Sequence, residues 1–341
     1  MRAWSEKYVD WMHYTVPLKS GIAAGYEFPA DYVGQYGTFD AVKHIYANSH
    51  LKDLISKDGG ELYVSKRYFA TETEKAIQDI RSQWRQKQGL SEDNTLIFVA
   101  PGNELEEATF CAQNIRKGVK EFLLKYSAPT SMSPKARPVD NFVTVISTHA
   151  GSEGEKYMKD FVKNSEWLGR VMFVDNTDNE HLNAMCASDL GIVYNGQMIS
   201  SAAACHLPTM NLMEMRMHHQ WYNDLFNRWW NDMNIIADRG VYPEIIGGEA
   251  WFGKIADTLA DWYIKPDTRY QMIRNFDSFV QEAMPYKPID RTQVRTRDII
   301  LADGNAYDVY MDPMQVVAKK MWQDASAYES PVDCSFKADI A

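Results

Sequence analysis

Cysteine is scarce. Cys111, Cys186, Cys205 and Cys334 are the whole complement of the 341-residue chain, and no two share a C-x-x-C spacing. Neither a structural zinc site nor a disulfide framework is written in that pattern, so free thiols in a reducing compartment are expected. Basic charge is short as well. The 36 Lys and Arg against 46 Asp and Glu leave a net charge of −10, which argues against nucleic acid or anionic lipid as the main partner. No apolar run approaches the ~20 residues that a membrane helix needs, and no apolar segment after Met1 reads as a secretory signal. No internal repeat is visible. The adjacent His218 and His219 do not share one face of a helix and make a poor metal pair, so no metal and no cofactor is expected.

Aromatic side chains are abundant, with 10 Trp and 19 Tyr. Several crowd a polar helix expected over residues 214–233, including Trp221, Tyr222, Trp229 and Trp230. Such rings serve either a protein–protein surface or a large core.

Strand and helix patterns alternate from residue 95 to residue 246. Strands are expected at 95–100, 142–146, 170–174, 189–194 and 209–212, and helices at 104–125, 178–188 and 199–205, with a further helix running to Asn164. This alternation means an α/β fold with a doubly wound, Rossmann-like parallel sheet. The segment 234–244 reads as a strand and loop, and residues 251–262 and 267–284 as helices. The chain is organised around residues 189–246, where strand, Gly196 turn, small-residue helix, Pro208 stop and strand form a βαβ unit. A glycine there allows close approach of a ligand or of a neighbouring element. The helix from 104 opens with Glu104, Glu106 and Glu107, which suit a helix N-terminus and oppose a phosphate at the same place. Residues 1–90 read as the remnant of a preceding domain plus a linker, 91–284 as the Rossmann-like domain, and 285–341 as an extension. A strand at 299–301 and a helix at 312–324 make that extension either a docking arm for a partner or a return to the chain's own core.

Residues 189–246 resemble the donor-binding half of lipid-A-disaccharide synthase, a GT-B glycosyltransferase that uses UDP-diacylglucosamine. The family's Ser-Gly-Thr-x-Thr-x-Glu-Ala-Ala segment is matched by Asn195-Gly196-Gln197-Met198-Ile199-Ser200-Ser201-Ala202-Ala203. Its Asn-x-x-Ala-Gly-Arg-Glu-Val-x-Pro-Glu is matched from Asn234 through Arg239, Gly240 and Val241 to Pro243 and Glu244. Its strand plus Pro-Gly-Ser-Arg is matched by Val99 to Glu104, and its Phe-Val-Gly-His-Pro by Tyr32 to Tyr36. The resemblance implies a nucleotide-sugar site at Gly102, Gly196, Ser201, Asn234, Arg239 and Glu244.

The departures carry as much meaning. The glutamate that in GT-B enzymes holds the donor ribose is Ser201, the two threonines are Gln197 and Ile199, and the family's His is Gln35. The arginine suited to a diphosphate is Glu104, and the glutamate after Arg239 is Gly240. Arg239 then serves either phosphate or a structural ion pair. The matching also starts late in the family's first domain, which normally carries the acceptor side and the catalytic base. The resemblance therefore implies a vestigial site with no catalytic residue, in a protein retained as a structural subunit of a larger assembly. Its partners would be other protein subunits, and the family's bacterial and organellar range points to a mitochondrial location, otherwise the cytoplasm. An active UDP-sugar transferase and a UDP-sugar-binding module are the alternatives.

Overall fold

A computed structural model of the chain describes residues 11–15, 30–55, 61–64, 69–126, 138–194, 198–213, 232–237, 239–246, 251–283, 286–288 and 308–311. Its centre is a six-stranded, all-parallel sheet. β1 (Trp11–Thr15) and β2 (Ala30–Gln35) form a separate antiparallel pair, followed by α1 (Tyr36–Ala47), β3 (Glu61–Val64) and α2 (Phe69–Lys87). The central sheet then begins with β4 (Thr95–Ala100), followed by α3 (Leu105–Tyr126), β5 (Phe142–Thr148), α4 (Glu153–Asn164), β6 (Arg170–Asp175), α5 (Glu180–Ala187), β7 (Leu190–Tyr194), α6 (Met198–Ala204) and β8 (Thr209–Met213). A short α7 (Asp232–Ala237) precedes β9 (Glu244–Ile246), and α8 (Trp251–Ile264) and α9 (Pro266–Ala283) follow.

The strand order is β6-β5-β4-β7-β8-β9, which is 3-2-1-4-5-6 when β4 is counted as the first strand. This is the doubly wound order, and it establishes the fold class expected from the sequence. Each strand is an almost unbroken apolar run because both faces are covered; every residue of β4, β5 and β8 is buried. Right-handed crossovers place α3 and α4 on one face and α5 and α6 on the other. α8 packs on α3, whereas α2 packs on α5, and α1 and α9 pack on α6. Gly118 lets α3 and α8 cross closely, since a Cβ there would lie 2.7 Å from the Ile255 Cβ.

Two features differ from the sequence expectation. Residues 36–47, to which the sequence pattern assigns no element, form α1, whose Phe39, Val42, Ile45 and Tyr46 are fully buried. The segment expected as strand and loop over 234–244 starts inside α7 and becomes strand only at Glu244. Part of the extension also returns to the chain itself. β10 (Tyr286–Pro288) pairs with β11 (Asp308–Met311), which pairs antiparallel with β3. The expected elements at 214–233, 299–301 and 312–324 lie outside the described residues, apart from Asp232 and Met233 in α7.

Two buried ionic junctions tie the helices of the second face to the sheet. Arg85 of α2 is 1% exposed. Its guanidinium donates to the carbonyls of Ala187, Ser91 and Asn94 and to Asp189 Oδ2 at 2.9–3.1 Å. Asp189 also accepts from Arg81 at 2.8 Å and from the Leu96 amide at 2.8 Å. The second junction is His206, in the turn after α6. The Leu207 amide donates to the Ala202 carbonyl and the His206 amide to the Ala203 carbonyl, which closes the helix in a Schellman turn. Its left-handed residue is usually Gly or Asn, yet here it is a histidine at φ +53°. The imidazole sits between Glu74 of α2 at 2.7 Å and Asp277 of α9 at 2.8 Å.

Candidate functional site

In a doubly wound sheet ligands bind beyond the carboxyl ends of the strands where the strand order reverses. Here that point lies between β4 and β7. β4 ends at Ala100 and turns through Gly102 at φ +100° into α3. Only glycine fits: besides the left-handed backbone, a Cβ would lie 2.5 Å from both Cβ and Oε2 of Glu107. Glu107 is held over the turn because its Oε2 accepts from the Asn103 amide at 3.2 Å and from the Glu104 amide at 3.4 Å. These are the N–H groups that a phosphate would use at a helix N-terminus. The first turn of α3 thus supplies its own anion. Glu104 and Glu106 stand exposed beside it and add to the negative field.

The neighbouring loop is closed in the same way. Ser152 caps α4 by accepting from the Glu155 amide at 3.0 Å, and Glu155 Oε2 accepts from the Gly151 amide at 2.8 Å. A hydrogen bond from Lys159, then that backbone amide, holds the Glu155 carboxyl below its usual range. The two loops are also zipped together. The Gly154 amide donates to the Asn103 carbonyl at 3.0 Å and the His149 amide to Asn103 Oδ1 at 3.1 Å. A Cβ on Gly154 would lie 2.6 Å from that carbonyl oxygen. Asp175, at the end of β6, accepts from the amides of Ala150 and Thr177 at 2.9 and 3.1 Å and from the Thr177 hydroxyl. The Thr177 hydroxyl, then the backbone amides, hold its carboxyl below the ordinary value. Ahead of the sheet's carboxyl edge at β4, β5 and β6, the amides of Asn103, Glu104, His149, Ala150, Gly151 and Thr177 are therefore met by carboxylates and an asparagine of the chain itself.

The other expected site residues are dispersed. Gly196, on the β7 side of the switch point, lies outside the described residues. Ser201 is buried in α6. Asn234 and Glu244 do come together, as a structural staple. Asn234 is fully buried; its Oδ1 accepts from the amides of Val241 and Tyr242 at 2.7 and 3.0 Å, and its Nδ2 donates to the Tyr242 carbonyl at 3.0 Å and to Glu244 Oε1 at 2.8 Å. All its hydrogen-bonding capacity goes to folding the loop into β9. Arg239 lies in that loop, on the amino-terminal side of β9, and its guanidinium reaches Ser278 Oγ of α9 at 3.5 Å. Gly102 lies at the opposite, carboxyl-terminal edge of the sheet.

Comparison with known proteins adds outline only. No protein-family model matches the sequence, and no curated protein matches it. Solved structures do. UDP-GlcNAc 2-epimerase from Neisseria meningitidis is 14% identical over 62% of this chain and 52% of that one, with a TM-score of 0.36. MurG of Acinetobacter baumannii is 12% identical over 61% and 49%, with a TM-score of 0.33. The wall teichoic acid polymerase TagF is 14% identical over 77% and 52%, with a TM-score of 0.35. The chain spans about half the length of each. The strand order, read directly from the chain, is what defines the fold.

Sequence reasoning anticipated the conflict between Glu104, Glu106 and Glu107 and a phosphate, because three acids at one helix start are a local signal. It missed the unpaired groups. Asn211 is buried in β8, in register with Glu244, and among the described residues neither of its side-chain polar atoms has a partner. One polar residue in a buried strand leaves no pattern to detect. The staple itself is testable. Asn234→Ala should lower unfolding free energy by about 2 kcal/mol, because it strands two buried amides and a carbonyl; urea unfolding of the variant measures this. An unchanged midpoint would mean that the loop folds without Asn234.

Proposed function

We propose that the chain is a catalytically inactive relative of the lipid-A-disaccharide synthases that serves as a structural subunit of a larger protein assembly. One observation carries this reading: the Glu107 carboxylate rests on the Asn103 and Glu104 amides at the switch point. A donor diphosphate would have to displace a like charge from two of the backbone donors at this helix start. Coulomb repulsion between two unit charges about 4 Å apart near a protein surface is about 4 kcal/mol, and electrostatic stabilisation is commonly the largest catalytic term. The resemblance supports the same reading. Glu104 stands where the family carries an arginine and Ser201 where it carries a glutamate, while Asn234 is spent on the β9 loop. On this account the partners are other protein subunits, and the mitochondrial location follows from the family's range.

The test has two arms. The purified chain, incubated with UDP-N-acetylglucosamine, should release no UDP above background. The endogenous protein, isolated without denaturation, should migrate in a complex far larger than the single chain. UDP release abolished by Arg239→Ala, or migration as a free monomer, would overturn the proposal.

A further inference from the structure

The edge of the sheet opposite the switch point carries a cavity that the resemblance does not account for. It is an open cavity of about 690 Å³ between the loop Gly240–Pro243, which enters β9, and the beginning of α9. A volume of this order suits a small ligand. Its polar wall is Thr268 and a stripe on α9, where Asp267, Gln271 and Asn275 recur at i, i+4 and i+8 and so share one helix face. The Gln271 amide donates to Asn275 Oδ1 at 3.4 Å, so much of the stripe's hydrogen-bonding capacity remains available to a ligand. Its apolar lining includes the buried Tyr242, Trp262 and Met272, of which 3–7% stays exposed, and the half-buried Pro243. None of the described lining residues is basic.

Each feature narrows the ligand. With no basic residue in the described lining, and with the Asp267 carboxylate on the wall, a phosphate or carboxylate ligand is disfavoured. Carboxamides present donor and acceptor side by side, which matches neighbouring hydroxyls that both give and accept. An apolar lining beside that stripe suits a ligand with one C–H face. We propose that this cavity binds a neutral pyranoside, its hydroxyls on Asp267, Gln271 and Asn275 and its apolar face toward Pro243 and the small exposed parts of Trp262 and Met272. The site is open and small, which sets its affinity on the order of millimolar. It does not depend on the reading of the switch point given above.

Saturation-transfer NMR on the full chain tests this, with the methyl glycosides of glucose, galactose, mannose and N-acetylglucosamine as probes and UDP as competitor. The expected result is saturable transfer to at least one glycoside, at least about tenfold weaker in Gln271→Ala/Asn275→Ala and unaffected by UDP. The two side chains share their hydrogen bond only with each other among the described residues, so the thermal midpoint of the double variant should match wild type. Should it not, Gln271→Ala alone, at an exposed position, carries the test. Absence of transfer to all four glycosides, transfer indifferent to the substitutions, or displacement by UDP would each overturn the assignment. UDP binding without such displacement would contradict the inactive-subunit proposal and leave this one standing.

Discussion

Arg85→Ala should destabilise the protein by about 3–5 kcal/mol, the cost of leaving one partner of a buried ion pair without the other. Arg85 lies at the meeting of α2, the turn after Leu90, and the α5–β7 turn. Its five N–H groups are nearly all used, on three carbonyls and one carboxylate. Burial lowers the guanidinium's pKa and the Asp189 charge opposes that, so the group stays charged at neutral pH. Removing it strands the Ala187 and Asn94 carbonyls and leaves Asp189 only Arg81 and the Leu96 amide. Arg85→Lys should recover less than half the loss, because an ammonium cannot span the same fork of acceptors. Chemical unfolding of the three proteins gives the comparison. A loss below about 1 kcal/mol in Arg85→Ala would show the junction to be solvated in the native state.

His206 should make stability fall on the alkaline side. Burial by itself would lower its pKa, but the hydrogen bonds that it donates to Asp277 and then Glu74, with their charges, raise it to about 9. The unfolded value is near 6.5. A folded pKa above the unfolded one means stability fully present below pH 6.5 and lost progressively as pH rises through 9. The interval corresponds to about 3 kcal/mol. Burial acts in the opposite direction at His181. It lowers that imidazole to about 4, with the neighbouring His44 adding to the effect, so its contribution is present above pH 6.5 and lost as pH falls through 4. The two histidines place the stability maximum near pH 6.5. His206→Asn isolates the charge, because Asn tolerates the left-handed backbone at this position. The variant should be less stable than wild type by about 3 kcal/mol at pH 6, and the gap should close above pH 9. An equal gap at both ends of the range would mean that packing, with no contribution from the charge, holds α2 and α9 to the turn.

The sheet was legible because its strands are apolar runs whose ends are marked locally. Thr95–Ala100 ends at Pro101-Gly102, and Leu190–Tyr194 ends at Asn195-Gly196. α1 was hidden because Tyr36–Ala47 carries glycine and β-branched residues at its start and no cap that announces it. The segment from Asn234 reads as a strand from its Ile-Ile pair, yet Asn234 binds forward to Val241, Tyr242 and Glu244 and folds the chain into a turn instead. The His206 junction joins residues 74, 206 and 277, and the β3–β11 pair joins 61–64 to 308–311. Contacts at such separations leave no mark in either segment alone. At the candidate site, the acidic start of α3 was readable, while the placement of Glu107 on the Asn103 and Glu104 amides was not.

Calorimetric titration of the purified chain with UDP and UDP-N-acetylglucosamine, beside Arg239→Ala, tests the central claim most directly. The inactive-subunit account predicts no saturable heat in either protein up to millimolar nucleotide. Saturable binding by wild type that Arg239→Ala abolishes would contradict it, and would mean that the Glu107 carboxylate yields its amides to a diphosphate.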